Sequence, residues 1–401
     1  WLSVIALAFL LFFLFSLFLV LGLVFSQCLP VWLGEAFLTA EKVAKTLMFV
    51  CLAFIMINVG REFELDKTKW RSYAADYFIA MATAAVPWIM VAFYYMFLLP
   101  ADLFGNWDAW KENLLLSRFA APTSAGILFT MLAAAGLRRE WIYKKTQVLA
   151  IFDDLDTILL MIPLQIFMIG FKWQLFAVVI VITFLLVIGW KKLGTIRLSQ
   201  TWKSILFYAV CIVAVTESIY LLTKWMMGAD GAIHIEVLLP AFVLGMVMKT
   251  VHQHGNRDEK ITGMISYLFM FLVGLSTPQF IGIDHGHRIT EAVGIIAAQP
   301  MPSWEVLVVH VIVVTLLSNL GKMFPLFFYR DRQLEERLAL SVGMFTRGEV
   351  GAGIIVIAMG YNLGGPALII SVLSLVLNLL LTGGFVVIVK RLAQQAYGLK
   401  E

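Results

Sequence analysis

The sequence predicts an all-α polytopic membrane protein with about 12 transmembrane helices. Of its 401 residues, 61% are hydrophobic and only 14% are charged, whereas about one quarter of the residues of a soluble domain are charged. Apolar runs of about 20 residues, long enough to cross the hydrocarbon core, recur along the chain. The basic residues between these runs fall mainly in every second loop, as expected for a chain that crosses a membrane repeatedly.

The apolar runs define the predicted helices in order, because a helix satisfies its backbone hydrogen bonds internally in lipid. The first run has no basic flank and no clear cleavage site, so we interpret it as a membrane helix rather than a signal peptide. Because residue 1 is Trp rather than Met, we expect a further N-terminal piece in the natural chain. The predicted spans lie at about 2–26, 42–60, 73–99, 113–136, 146–170, 173–190, 204–223, 235–251, 261–282, 305–329, 337–360 and 366–389.

The distribution of Lys and Arg sets the predicted orientation. Twenty-one of them lie in the loops after even-numbered spans and in the C-terminal tail, and five lie in the loops on the other side. The positive-inside rule therefore predicts that both termini are cytoplasmic. Four others lie within predicted spans and need a separate explanation: Lys45, Arg118, Lys322 and Arg347.

Two spans are interrupted at corresponding positions, which indicates an internal repeat. Residues 116–136 and 340–360 align without gaps and share Leu, Ser and a final Gly. Each has a polar, helix-weakening cluster near its middle, at 122–124 and at 346–349. The predicted orientation makes the two spans run in opposite directions. Two crossed, discontinuous helices in inverted halves are typical of secondary transporters; the alternative is a proline kink and glycines that only allow close packing.

The fifth span carries "FDDLD", and charged groups inside a membrane are rare and usually functional. Asp153 lies about 10 Å from the predicted cytoplasmic side, as does Lys322 in the tenth span. We expect these two to pair, because each buried charge needs a counter-ion. Asp154 points about 100° away. We predict that it binds sodium together with oxygens of Thr123 and Ser124, and that protons and the cation compete for this site.

Four other charged residues are candidates for structural or charge-compensating roles. Asp156 lies about 60° around the helix from the first aspartate, and three alternatives stay open for it. It could pair with Lys322, pair with Arg118, or line a water-filled funnel. Arg347 and Glu349 are close enough in sequence to pair, and we expect them to neutralise the dipole ends of the interrupted eleventh span.

At these residues the chain resembles bacterial sodium/proton antiporters of the cation:proton antiporter superfamily, over nearly its whole length. The pair in "FDDLD" looks like the family's ion-binding aspartates, and Lys322 in "NLGKMFPLFFY" looks like the lysine that pairs with the first of them. "VGREFELDKTKW" at 59–70 is similar to the end of the family's second helix, and "APTSAG" looks like its interrupted fourth helix. "TRGEVG" at 346–351 is similar to the "PRGE" signature of exchanger-type members.

The resemblance implies a mechanism and an architecture. A core at about 73–170 and 305–389 would move as an elevator against a dimerising scaffold at about 2–60 and 173–282. Asp154 would be the principal ion and proton carrier, and members with paired aspartates are generally electrogenic. We therefore expect a homodimer in a bacterial cytoplasmic membrane that transports small cations. We expect no cofactor beyond the transported sodium and protons, and no nucleic-acid partner.

The chain departs from the family pattern at two positions, and several alternative functions stay open. Some members carry an acid where this chain has Ser124, and Asp156 is an additional acid, so selectivity does not carry over. A potassium/proton antiporter, a sodium-coupled solute symporter or a channel on a similar fold stays open. An intramembrane aspartyl protease would need carboxylates on separate helices, and no GxGD motif is present. The sequence has no GxxxxGKS or HExxH motif, so we expect neither an ATP-driven pump nor a metalloenzyme. As a transporter, the protein is not expected to be an enzyme.

Overall fold

A computed structural model provides the structure of the chain, and its described part is helical. The regular structure there consists of helices, apart from an isolated bridge between Ile196 and Met248. The all-α prediction is therefore confirmed. The described residues are 2–33, 36–61, 70–124, 137, 140–169, 180, 183–185, 187–189, 191–192, 194–227, 237–249, 256–278, 294–361 and 363–397.

The helices follow the predicted apolar runs, with single 3-10 turns at Ala101–Gly105, Arg118–Ala120 and Phe324–Phe327. The predicted sixth span lies mostly outside the described residues, as does the second half of the fourth, at 125–136. The α-helices of the described chain are α1 (Leu2–Leu33), α2 (Ala36–Arg61), α3 (Trp70–Leu98), α4 (Trp107–Ser117), α5 (Trp141–Ile169), α6 (Trp202–Met227), α7 (Leu238–Val247), α8 (Asn256–Leu275), α9 (Trp304–Gly321), α10 (Leu334–Gly343), α11 (Glu349–Gly360) and α12 (Gly365–Tyr397).

Length and composition identify the helices of the described chain that could cross a membrane. Shorter apolar helices, such as α7 and α11, accompany them. Several helices extend beyond their predicted ends: α12, for example, continues to Tyr397, past the end of the apolar run at about 389. The five helical stretches that are long and apolar enough to span are Thr39–Arg61, Ala74–Leu98, Trp202–Trp225, Trp304–Phe327 and Gly365–Tyr397.

The chain forms two compact units, of which the first contains the candidate site. It comprises Trp1–Val31, Lys67–Met168 and Val273–Glu401. In this unit α9 packs against both α3 and α12. The backbones of α9 and α3 approach closely at the end of α9. A Cβ on Gly321 would lie only 2.5 Å from the Pro87 Cα of α3. Small residues permit this approach in helix bundles within membranes.

The second unit comprises Trp32–Asp66 and Ile169–Leu272. In it α2 packs against α6 and α7. Glycines again allow the closest contact: a Cβ on Gly60 would overlap the Phe242 carbonyl, and a Cβ on Gly245 would overlap the Ile57 carbonyl. The α2–α7 interface therefore depends on two residues without side chains.

Candidate functional site

The interrupted eleventh span is two separate helices. α10 ends at Gly343 and α11 begins at Glu349. In the fourth span, α4 ends at Ser117, a single 3-10 turn follows, and residues 122–124 are not helical. Each helix end inside the unit leaves backbone groups without helical partners. Such groups are available to other chain segments or to an ion. Because 125–136 lie outside the described residues, the crossing of two discontinuous helices stays a prediction.

The two interruptions contact each other directly. The Ser124 backbone N–H donates to the Thr346 carbonyl at 2.9 Å, and the Thr123 hydroxyl donates to the Met344 carbonyl at 3.2 Å. The Ser124 hydroxyl lies 3.4 Å from a carboxylate oxygen of Glu349, a long distance for an O–H···O bond. Thr123 and Ser124 are both buried. The structure therefore brings both predicted oxygen donors to the break between α10 and α11.

Lys322 and Asp153 form a buried ion pair. The Lys322 ammonium donates to both carboxylate oxygens of Asp153 at 2.8 Å, and both side chains are fully buried. Lys322 is the C-cap of α9, and Asp153 lies in the first half of α5. The pairing expected from their matched depths is therefore present in the structure. Each charge of the pair compensates the desolvation of the other.

Asp154 is the next residue of α5 and is 1% exposed. Its charge acts on Lys322, as does the charge of Arg347 at the break between α10 and α11. Arg347 in turn lies within electrostatic reach of Asp153. The aspartate pair, the lysine and the interrupted span therefore form one electrostatically connected cluster.

Asp156 pairs with Arg118. A terminal guanidinium nitrogen of Arg118 donates to the Asp156 backbone carbonyl at 3.0 Å and to its carboxylate at 3.3 Å. The guanidinium carbon also lies 4.3 Å from the ring centroid of Trp88, within the range of a cation–π interaction. Of the three alternatives left open by the sequence, the structure selects the pairing with Arg118.

The hydrogen bonds of Arg347 go to backbone carbonyls, and its expected pairing with Glu349 stays a prediction. Arg347 donates to the Met344 carbonyl at 3.2 Å and to the Ser318 carbonyl at 3.1 Å. Met344 is the C-cap of α10, and carbonyls at a helix C-terminus attract basic side chains because they lack helical partners. Glu349 is the first residue of α11, where an acid suits the positive end of a helix dipole. The two residues thus lie at opposite dipole ends.

The family follows from a comparison of the whole chain. Residues 2–391 match the family described as "Sodium/hydrogen exchanger, transmembrane". The chain belongs to this family. The exchanger is therefore an integral membrane protein of a family of cation/proton antiporters, which are transporters rather than enzymes.

The fold of the exchanger is similar to that of a solved antiporter. The comparison is with the sodium proton antiporter MjNhaP1 from Methanocaldococcus jannaschii, at a TM-score of 0.60 and 13% sequence identity. The alignment covers 99% of each chain. At this identity the likeness concerns the fold alone. A search of curated proteins by sequence finds no match.

The most deeply buried charges around "FDDLD" are balanced in number. The three aspartates of "FDDLD" lie in the same unit as three buried cations, and none of the six side chains is more than 2% exposed. Their formal charges sum to zero, so burial of the three acids does not require a net charge in the bundle. The three cations are Arg118, Lys322 and Arg347.

Another buried carboxylate, Asp76, was not predicted from the sequence. Asp76 accepts two bonds from Lys145, at 2.9 and 2.8 Å, and one from the Tyr329 hydroxyl at 2.8 Å. An acid inside a predicted span was the signal that could have found Asp76.

Proposed function

We propose that this exchanger is a secondary active antiporter that exchanges protons for sodium, and also lithium, by an electrogenic, elevator-type mechanism. The observation that carries the proposal is the buried Asp153–Lys322 ion pair, at 2.8 Å, next to Asp154 on the same helix. Asp153 is paired with Lys322, and Asp154 lies beside it in the same buried cluster, so the two carboxylates have different environments. Asp154 then takes the role of the carrier.

Sodium is a hard cation and prefers oxygen ligands. In the proposed cycle Asp154 binds sodium, and hydroxyl or carbonyl oxygens of Thr123 and Ser124 complete its coordination. The contact of these two residues with the interrupted span supports this assignment. A carboxylate that is protonated cannot bind the cation, so protons and sodium compete for Asp154. Competition at one site combined with alternating access produces exchange.

The proposed exchange carries two protons for each sodium ion and so moves one net charge per cycle. Each charge that crosses gains or loses about 2.3 kcal/mol per 100 mV of membrane potential. The charges of Asp153 and Asp154 both act on Lys322, and we assign the two protons to this set of three residues rather than to single residues.

The elevator movement and the homodimer are also part of the proposal. All six buried charged residues of the site lie in the first compact unit. A unit that contains the whole site could carry the bound ion as it moves. The predicted orientation, with both termini in the cytoplasm of a bacterium, completes the proposal.

Exchange in proteoliposomes tests the function. We expect sodium or lithium gradients to drive proton movement, potassium gradients to have little effect, and an imposed voltage to change the rate. Exchange with potassium alone would identify a potassium/proton antiporter. Uptake of an organic solute with sodium, or currents too large for a carrier, would identify the symporter or channel instead.

A further inference from the structure

α12 carries a row of buried polar side chains on one face. Its members recur at intervals of three and four residues, a spacing that places side chains on the same side of a helix. Polar groups in a membrane-spanning helix are costly unless they form hydrogen bonds. The members of the row, none more than 1% exposed, are Ser371, Ser374, Asn378 and Thr382. Ser371 and Thr382 donate to carbonyls of α12 itself, and Ser374 and Asn378 have partners on a neighbouring helix.

Two members of this row bind α9 in a common register. The hydroxyls of Ser374 and Thr315 lie 2.8 Å apart, and the Asn378 amide donates to the Asn319 side-chain oxygen at 2.8 Å. Both pairs are separated by 59 residues in sequence, so α9 and α12 run parallel here. Two contacts one turn apart specify a single register, because a one-residue shift of either helix would break both.

Asn319, which takes part in the second of these contacts, is also hydrogen-bonded to Lys322 of the ion pair. The Lys322 backbone N–H donates to the Asn319 carbonyl at 3.0 Å, and the Lys322 ammonium binds Asp153. The last turn of α9 is also held from two other sides. Arg347 donates to the Ser318 carbonyl, and Gly321 packs against α3.

We propose that the amide pair of Asn319 and Asn378 positions Lys322. By fixing the register of α9 on α12, the pair fixes the height at which Lys322 meets Asp153. The amide pair is therefore a positioning element that acts through Lys322 and does not itself contact the transported ion. This inference rests on the proposed function, because it concerns the same site.

The position of Lys322 matters because several charges surround it from two elements. A shift along the axis of α9 changes its distance to each of them and thereby the pH at which the cluster exchanges protons for sodium. The charged groups that act on Lys322 are Asp153, Asp154 and Asp156 on α5, and Arg347 between α10 and α11.

The neighbouring hydroxyl contact provides a matched control. Ser374→Ala and Asn378→Leu each remove one buried hydrogen bond from the α9–α12 interface. The bond that Ser374→Ala removes lies one turn further from Lys322. In proteoliposomes we expect Asn378→Leu to shift the pH midpoint of sodium-driven proton movement by about one unit, tenfold in proton concentration. We expect Ser374→Ala to retain the wild-type midpoint. Equal midpoints in all three proteins, or equal shifts in both variants, would overturn the inference.

A stability cycle tests the same inference without transport. We expect Asn378→Leu and Lys322→Met to change the melting temperature non-additively, because the amide pair has nothing to position once the lysine is lost. Ser374→Ala and Lys322→Met should add, as changes without a shared partner usually do. Additive effects in both cycles would refute the positioning role.

The two assays separate this inference from the proposed function. If the wild-type protein shows no exchange, the proposed function fails, and the stability cycle still decides the role of the amide pair. If Asn378→Leu does not fold, the double variant Asn319→Leu/Asn378→Leu replaces it with the same expectations. Removing both partners of a buried hydrogen bond is often nearly neutral for stability.

Discussion

At the residue scale, Asp153, Asp154 and Asp156 occupy about one turn of α5 and have different neighbours. Asp153 binds Lys322, and Asp156 binds Arg118. The different directions in which a helix projects consecutive side chains explain this separation. One acid in the proposed mechanism is then a carrier, one is held by a lysine, and one secures a buried arginine.

The Asp156–Arg118 pair predicts a large loss of stability when one partner is removed. Asp156→Ala leaves the fully buried Arg118 guanidinium without its carboxylate, and we expect a cost of about 3–5 kcal/mol. The measurement is thermal or denaturant unfolding of the purified protein in detergent.

A surface pair provides the control for this prediction. Asp331 lies 3.5 Å from Arg332 but is 76% exposed, so Asp331→Ala should cost about 0–1 kcal/mol. A loss from Asp156→Ala as small as that from Asp331→Ala would show that the buried pair has no structural role.

Some residue contacts follow from the sequence and others depend on where a helix stops. The Asp153–Lys322 pair was predictable, because two buried charges of opposite sign lie at matched depth in two spans. The partner of Asp156 was not, because Arg118 lies just past the end of α4, and the direction of its side chain depends on that break. The hydrogen bonds of Arg347 to backbone carbonyls were not predictable either, because the sequence does not reveal which carbonyls a terminated helix leaves without partners.

At the element scale, the segment before α9 is hydrogen-bonded to a carboxylate of α4. Glu112 of α4 accepts from the backbone N–H groups of Ile295 and Ile296, at 3.2 and 2.9 Å. Gly294 precedes them with a φ of +121°, and a Cβ there would lie 2.8 Å from a Glu112 carboxylate oxygen. The apolar pattern that predicted the spans contains no information about this connection.

This geometry predicts the effect of adding one methyl group. Gly294→Ala should destabilise the protein by about 1–3 kcal/mol, because alanine is strained at this φ and its Cβ displaces the Glu112 carboxylate. Gly263→Ala is the matched control: Gly263 lies within α8, and a Cβ there meets nothing within 4 Å. In a helix interior that change should stabilise by up to about 1 kcal/mol. Equal melting temperatures for the two variants would show that the contact of Glu112 with this segment does not stabilise the protein.

At the scale of the whole molecule, the fold persists although the sequence has diverged. The folds of the exchanger and MjNhaP1 are similar although only 13% of their residues are identical over nearly complete chains. Helix positions were largely predictable from apolar runs. The core at about 73–170 and 305–389 and the scaffold at about 2–60 and 173–282 remain predictions, because movement and dimerisation depend on contacts that composition does not encode.

In the proposed mechanism Asp154 carries both the ion and the proton. The most direct test is sodium-dependent proton movement in proteoliposomes that contain wild-type protein, Asp154→Asn or the exposed-site control Asp331→Asn. Asparagine has nearly the same shape as aspartate but neither the charge nor the titratable proton. We predict that exchange falls to background in Asp154→Asn and continues in Asp331→Asn. Exchange at the wild-type rate in Asp154→Asn would show that Asp154 is not the carrier.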